Sequence, residues 1–430
     1  MNSNRRAEKR DRATDNRRST FNLSTPLSAG GPSRSDSGRR TGCNAATADI
    51  VILGAGVMGA SIAFHLAKRK AGKIVVIDKN HVGHGGSGRS SALIRMHYSY
   101  PPEVQLALIS LRMFEHWAEL VGSEGDFRKT GFVRMVHPGE GERLKQNVEM
   151  QRNLGANVKL INRAELKELE PDWAVDEVEL AAYEPDSGYG DGAGVANDFL
   201  TCARDLGVTY LSKTESSLYI DKGTLKGIGT SHGEISAPVV VAATGPWTRP
   251  LFQKAGLDLP IETEYHQVAI LKNAPDMKGG GCACIDSVTA TYFRSDAHDK
   301  FLVGDFYGRR GADPDNFPQR AADHDLEQII ERACRRVPKL ENAEVMRGVT
   351  GIYDMTPDSR PLLGEMPGVR GLYVCAGFSG MGFKISPAVG LVMSELLLDG
   401  HGSTVDISSF SPARFEEGKP IKAEFEYKDD

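Results

Sequence analysis

Residues 48–79 read ADIVILGAGVMGASIAFHLAKRKAGKIVVIDK. A short apolar run, Asp49 to Leu53, meets a glycine turn in which Gly54, Gly56 and Gly59 take the spacing G-x-G-x-x-G. Ala60, Ala63, Phe64 and Ala67 then recur at helical spacing, which predicts a helix over 57–68. A second apolar run, Lys73 to Ile77, closes on Asp78. In this strand–turn–helix–strand pattern each glycine has a task. The first permits the tight turn, the second lets a pyrophosphate approach the backbone, and the third lets helix and strand pack closely. The helix start, including Val57 and Met58, offers free N–H groups and partial positive charge to phosphates. Asp78 follows Gly59 by 19 residues, where a carboxylate accepts from ribose hydroxyls. The stretch predicts a dinucleotide site. On its own it leaves FAD and NAD both open, and a plain glycine turn ending in a strand-end aspartate is the competing reading.

The rest of the chain narrows the class. At 430 residues two domains are expected. A net charge of −5 argues against nucleic acid as the main partner. The six cysteines, at 43, 202, 282, 284, 334 and 375, are scattered, which fits a reducing, cytoplasmic compartment rather than a disulfide framework. Cys282 and Cys284 have no second Cys/His pair nearby, so no metal site is expected. No run of 18 apolar residues exists, so no transmembrane helix is expected. Residues 1–46 carry nine arginines and one lysine against four acids, with few large apolar residues. They read as a disordered basic extension, with organelle targeting as the alternative.

Along the chain, βα pieces of nucleotide-binding texture stand at the start, middle and end, separated by strand-rich segments. The expected elements include a helix over 103–121, a helix over 199–206 after the glycine-rich loop 186–194, a hairpin about Lys222-Gly223, and the buried strand PVVVAA at 238–243. A last helix is expected to begin with Ser386 as N-cap and Pro387 at its first position, and to end before Gly400. The fold class expected is α/β: an interrupted Rossmann-like nucleotide-binding domain (47–125, 190–252, 345–404) carrying a mixed, strand-rich substrate domain (126–189, 253–344) and a tail (405–430).

Five islands share one resemblance: 50–78; GGSGRSSALIRMHY at 85–98; VVVAATGPW at 239–247; IDSVTATYFRSD at 285–296; and 355–390, with MTPDSRPLLG, GLYVCAGFSGMGFK and ISPAVG. Together they resemble the D-amino-acid-oxidase-like flavoproteins, nearest to sarcosine oxidase of the β-chain type and related amino-acid dehydrogenases. The resemblance turns the dinucleotide into FAD. It implies that Gly54, Gly56, Gly59 and Asp78 hold the ADP half. Ser87, Gly88, Arg89, Ser90 and Ser91 would lie beside the pyrophosphate and flavin, and Ser216 near the adenine. Thr244, Gly245 and Trp247 would form a second FAD-contacting turn, and Gly380, Met381, Gly382, Phe383 and Lys384 would lie against the pyrimidine end of the flavin. Backbone N–H groups and a helix start at that end suit the negative charge that gathers there on reduction.

The resemblance also implies a carboxylate clamp made by Arg95 and Lys384. A guanidinium matches a carboxylate in two parallel hydrogen bonds. A structural ion pair for Arg95, and a flavin-side charge for Lys384, are the bland alternatives. Tyr292 joins them as a pocket residue, with His97, Tyr98 and Arg294 beside it; His266 reads as a strand residue rather than a base. Two departures matter. Gly351 stands where monomeric sarcosine oxidase links flavin to cysteine, and the loop 87–95 lacks the histidine of the dimethylglycine-dehydrogenase linkage, so FAD is expected to be non-covalent. Leu302 stands near the place where monomeric sarcosine oxidase has its oxygen-activating lysine, with Lys300 close but offset, so a dehydrogenase stands open beside an oxidase. The expected activity is oxidation of the C–N bond of an amino acid, a secondary or N-methyl amine. A 2-hydroxy-acid enzyme, or a non-catalytic flavoprotein in an assembly, remain as other readings. A partner subunit or separate electron acceptor is implied by the β-chain likeness.

Overall fold

The glycine stretch folds as read. In the computed structural model the strand Ile50–Leu53 runs into the helix Val57–Lys68 and returns as the strand Ile74–Ile77. The model describes residues 46–277, 281–296 and 299–427; the basic extension therefore lies outside the described residues, apart from Ala46. Both strands are fully buried, and their neighbours explain why. A six-stranded sheet is ordered Thr209–Leu211, Ile74–Ile77, Ile50–Leu53, Val239–Ala242, Leu372–Ala376, Leu362–Glu365. The first five run parallel and the last antiparallel. Residues far apart in sequence thus share one sheet.

Both faces of this sheet are covered, as a parallel sheet demands. On one face the helices Val57–Lys68, Gly192–Asp205 and Gly382–Asp399 pack together, with Pro101–Glu115 against the last of them. Their core includes Ile62, Phe64, Leu66, Phe199, Val389 and Val392. On the other face Val51, Leu53 and Val75 pack on Leu225, Ile228 and Ile235 of a small four-stranded sheet that contains the expected hairpin. A nine-stranded mixed sheet forms the strand-rich part. The helix Asp323–Arg336 seals one face of it through Leu326, Ile329 and Ala333. The opposite face presents Phe132, Val268, Tyr292 and Leu302. The mixed α/β class with two differently built sheets is thus observed.

Two helix starts differ from the sequence reading. The helix expected at 199 begins at Gly192, because the Asp191 side chain accepts the N–H of Ala193 at 2.9 Å and caps it. The last helix begins at Gly382 rather than at Pro387, which lies inside it. Proline removes the N–H that would bond the Phe383 carbonyl. The Ser386 hydroxyl donates to that carbonyl instead, at 2.8 Å, so the helix continues. Its end at Gly400, in the left-handed region (φ +83), is as read. The helix expected over 103–121 is broken at His116 into Pro101–Glu115 and Trp117–Val121.

Candidate functional site

The glycine turn opens a long cleft with about 1540 Å³ of empty space, part of it open to solvent. Gly54 (φ +99) lies so close to the neighbouring strand that a Cβ would sit 2.3 Å from the Ala243 carbonyl oxygen. At Gly59 a Cβ would sit 1.9 Å from the Gly54 carbonyl oxygen, which is the tight helix–strand approach expected of the third glycine. At Gly56 an added Cβ would meet only the Ser87 hydroxyl, at 3.0 Å, so this backbone faces the cleft. The helix that starts there carries no acidic residue in its first turn, leaving its positive end to an anion. Ser87 Oγ accepts the Val57 N–H at 3.0 Å and thereby ties the 85–91 loop to the same helix start.

Asp78 is already engaged. One carboxylate oxygen accepts the Ala55 N–H and the other the Asn80 N–H, both at 2.7 Å. Each oxygen has a second lone pair for a ribose hydroxyl. Ser216, Thr244, Gly245 and Trp247 also line the cleft. Trp247 Nε1 donates to Asp315 at 2.8 Å, and Lys79, whose ammonium lies 4.6 Å above the Trp247 ring, pairs with the same carboxylate. Asp315 belongs to a loop that crosses from the mixed sheet. Farther along, Gln319 accepts from Arg89, and Phe317 lies 5.3 Å beneath its guanidinium. One loop thus fastens over the cleft at two points.

At the far end Gly380, Gly382 and Phe383 line the cleft, and the start of the last helix, again without an acidic residue in its first turn, opens onto it. Tyr353 and Asp354 stand behind this turn, and the sequence reading did not single them out. Asp354 accepts the Gly377 N–H at 2.6 Å, and burial pushes its carboxyl up to about 6. The Tyr353 ring packs where a Gly380 Cβ would come within 3.0 Å, and its hydroxyl shares a hydrogen bond with Tyr292. Tyr292 in turn lies over Gly304, its cross-strand neighbour, where a Cβ would come within 1.9 Å of the ring. His266 is a strand residue as read, 4.2 Å from the Tyr353 ring and 3.0 Å from the Glu264 carboxylate.

A buried lysine and a half-buried arginine lie beside this end. Lys384 is 7% exposed, and its ammonium donates to the Gly380 carbonyl at 3.2 Å. Burial, and then the Arg95 charge, hold it well below the usual lysine range. Arg95 donates to the His97 carbonyl and lies 4.4 Å above the Tyr98 ring. Among the described residues neither cation forms an ion pair, and Arg95 Nε has no hydrogen-bond partner. Glu184, fully buried, accepts the Met96 N–H at 2.8 Å and the Ser187 hydroxyl at 2.6 Å, fixing the loop that carries Arg95.

Other expected residues shape the site without lining the cleft. Gly88 packs on the Gly83 carbonyl, Ser91 offers its carbonyl to Arg294 at 2.7 Å, and Met381 is buried. Arg89 is turned toward the Thr350 carbonyl, 3.3 Å away, and Gln319. Gly351 brings no side chain to the cleft, and the one lining cysteine, Cys375, has its thiol pushed far up by burial. Acid precipitation of the holoprotein is expected to release the flavin into the supernatant; flavin in the pellet would reveal a covalent bond.

Two helix starts free of acids, a cleft-facing glycine backbone and a strand-end carboxylate fit FAD along its length. Comparisons with known proteins agree. The chain is 28% identical over 422 residues to mouse "FAD-dependent oxidoreductase domain-containing protein 1", covering 87% of this chain and 86% of that one. It is 26% identical to "Sarcosine oxidase subunit beta" of Arthrobacter, covering 87% and 92%. The crystal structure of L-proline dehydrogenase from P. horikoshii superposes with a TM-score of 0.81 at 29% identity, covering 88% of this chain and all of that one. Residues 49–396 match the family described as "DAO: FAD dependent oxidoreductase", so the chain belongs to the D-amino-acid-oxidase family of FAD-dependent oxidoreductases acting on amino acids and amines.

Proposed function

We propose that the chain oxidises the C–N bond of a carboxylated secondary or N-methyl amine, of the sarcosine or proline kind. The observation that carries this is the pair Arg95 and Lys384, a half-buried guanidinium and a buried ammonium that form no ion pair among the described residues, beside the flavin end of the cleft. Burying unpaired charge is costly, so the arrangement calls for an anionic ligand. Arg95 and Lys384 bind the substrate carboxylate. Tyr98 and Phe132, stacked on Arg95 at 4.4 and 5.8 Å, keep that guanidinium in place and exclude water. Tyr353 lines the same cleft, with Tyr292 hydrogen-bonded behind it. FAD supplies the hydride acceptor. Positioning of the amine's α C–H bond carries much of the rate, and no dedicated base is needed when the amine binds neutral.

Leu302, buried near the place where monomeric sarcosine oxidase has its lysine, supports a dehydrogenase that passes electrons to a separate acceptor or partner subunit. The names of the relatives, a sarcosine oxidase subunit and a proline dehydrogenase, support the substrate class. No helix among the described residues is long and apolar enough to cross a membrane; the scattered thiols support a reducing compartment such as the cytoplasm. An anaerobic titration with sarcosine, L-proline, glycine and 2-hydroxy acids decides among substrates. Bleaching of the flavin by the N-substituted amino acids is expected; bleaching by hydroxy acids alone overturns the proposal.

Lys384 gives the site a pH dependence. Only its protonated form attracts a carboxylate, and its burial and the Arg95 charge lower its pKa. Substrate KM is therefore expected to rise as pH increases through that lowered pKa. In Lys384→Arg, whose charge persists, the rise should vanish. A KM profile identical in both proteins removes Lys384 from carboxylate binding.

A further inference from the structure

The segment 421–427 lies beyond the residues matched by the family, 49–396, yet it runs to the substrate clamp. The Ile421 N–H donates to Asp358 at 2.9 Å, and Asn147 Nδ2 donates to the Phe425 carbonyl at 2.8 Å. Glu426 lies 3.4 Å from Arg360, which also pairs with Glu103 at 3.0 Å. These ties deliver Tyr427, 4% exposed, against His97. The Tyr427 hydroxyl is 2.8 Å from His97 Nε2, and the rings stack at 5.9 Å with 18° between planes. The Arg134 guanidinium covers the Tyr427 ring at 5.1 Å.

His97 is the link to the clamp, because its carbonyl accepts a guanidinium N–H of Arg95. Burial and the charges of Arg134 and Arg95 keep its imidazole neutral. A neutral ring has one donor and one acceptor nitrogen. Nδ1 faces the Glu184 carboxyl at 3.9 Å; with the ring proton on that side, Nε2 accepts from the Tyr427 hydroxyl. The Met96–His97 peptide is then held on both sides, by Glu184 through the Met96 N–H and by Tyr427 through the imidazole.

We infer that Tyr427 is a positioning residue for carboxylate recognition: its hydroxyl fixes His97, and the His97 carbonyl aims Arg95. The inference rests on the reading of Arg95 as the carboxylate clamp. Without the hydroxyl, His97 and its peptide gain freedom and Arg95 loses its fixed direction. The ring stack and the Arg134 contact survive in Tyr427→Phe, so that variant removes the hydroxyl's link to His97 while keeping the ring.

The test is titration of the FAD-loaded protein with acetate, followed by the change in the flavin visible spectrum. Tyr427→Phe is expected to weaken acetate binding about 3- to 10-fold, the range of one lost hydrogen bond, with bound FAD unchanged and the melting temperature lowered by that one buried bond. Arg95→Ala, run alongside, separates the two ideas. Weakening in Arg95→Ala but not in Tyr427→Phe overturns the inference and leaves the clamp standing; no weakening in Arg95→Ala overturns the clamp itself. If Tyr427→Leu weakens binding but Tyr427→Phe restores the native value, packing rather than the hydroxyl acts, and the inference fails. Nitrogen NMR of histidine-labelled holoprotein needs no variant of Tyr427: His97 is expected with its proton on Nδ1 and a hydrogen-bonded Nε2. A doubly protonated ring, or an Nε2 without a hydrogen bond, overturns the inference.

Discussion

Arg95→Ala is expected to raise the KM for carboxylated amines by roughly two orders of magnitude while kcat falls far less. Losing a charge-assisted, two-point hydrogen-bonded contact costs about 3 kcal/mol, and each 1.4 kcal/mol is tenfold. The site has no substitute for the lost fork. Lys384, buried and held below the usual lysine range, is a single-point charge, and a lysine ammonium does not reproduce bidentate geometry. The loss should be confined to substrates with a carboxylate, so amines lacking one gain relative to sarcosine or proline. Steady-state kinetics on the purified holoprotein checks this, and an unchanged KM removes Arg95 from substrate binding. Flavin content serves as the control, since Arg95 does not line the FAD cleft.

Gly54→Ala is expected to yield protein without flavin and with stability reduced by about 3 kcal/mol. Two costs combine. Gly54 has φ +99, a conformation that costs a side-chain-bearing residue on the order of 1–3 kcal/mol. The added methyl would also press on the Ala243 carbonyl at 2.3 Å, in the strand alongside. That strand leads directly into Thr244 and Gly245, so the displacement spreads to the second turn lining the cleft. Gly56→Ala makes the useful contrast. There the methyl meets only the Ser87 hydroxyl at 3.0 Å, so the apoprotein should fold normally and lose flavin affinity alone. Thermal melting of the apoproteins, with FAD binding followed by fluorescence quenching, separates the two. Equal melting temperatures for Gly54→Ala and the native apoprotein would contradict the strain argument.

The cofactor half was legible in the sequence because its constraints are local. A glycine spacing, an apolar run and a strand-end acid fall within 32 residues, and backbone geometry dictates all three. Helix starts were less legible where a side chain overrides a turn-forming composition. Gly192 and Gly194 read as loop residues, yet the Asp191 cap draws both into a helix. Pro387 read as a helix start because nothing in one dimension shows that the Ser386 hydroxyl replaces the missing N–H. The substrate end was legible only in part. Arg95 and Lys384 entered through the family resemblance alone, as an expected carboxylate clamp. Tyr353 and Asp354, just before the island at 355–390 and close to Gly351, were passed over. Glu184 and Tyr427 carry no local signal at all. Their contacts span 88 residues to Met96 and 330 to His97, and only the folded chain brings them there.

The loop that joins Asp315 to Lys79 and Trp247, and Gln319 and Phe317 to Arg89, bears on how the holoprotein keeps its cofactor. Asp315, Lys79 and Trp247 line the cleft that the flavin nucleotide would occupy, so this loop and the cofactor share one wall. Breaking the ties, as in Asp315→Ala, is expected to speed the loss of FAD from the holoprotein, read as flavin fluorescence released on dilution; an unchanged release rate would show that the loop does not retain the cofactor.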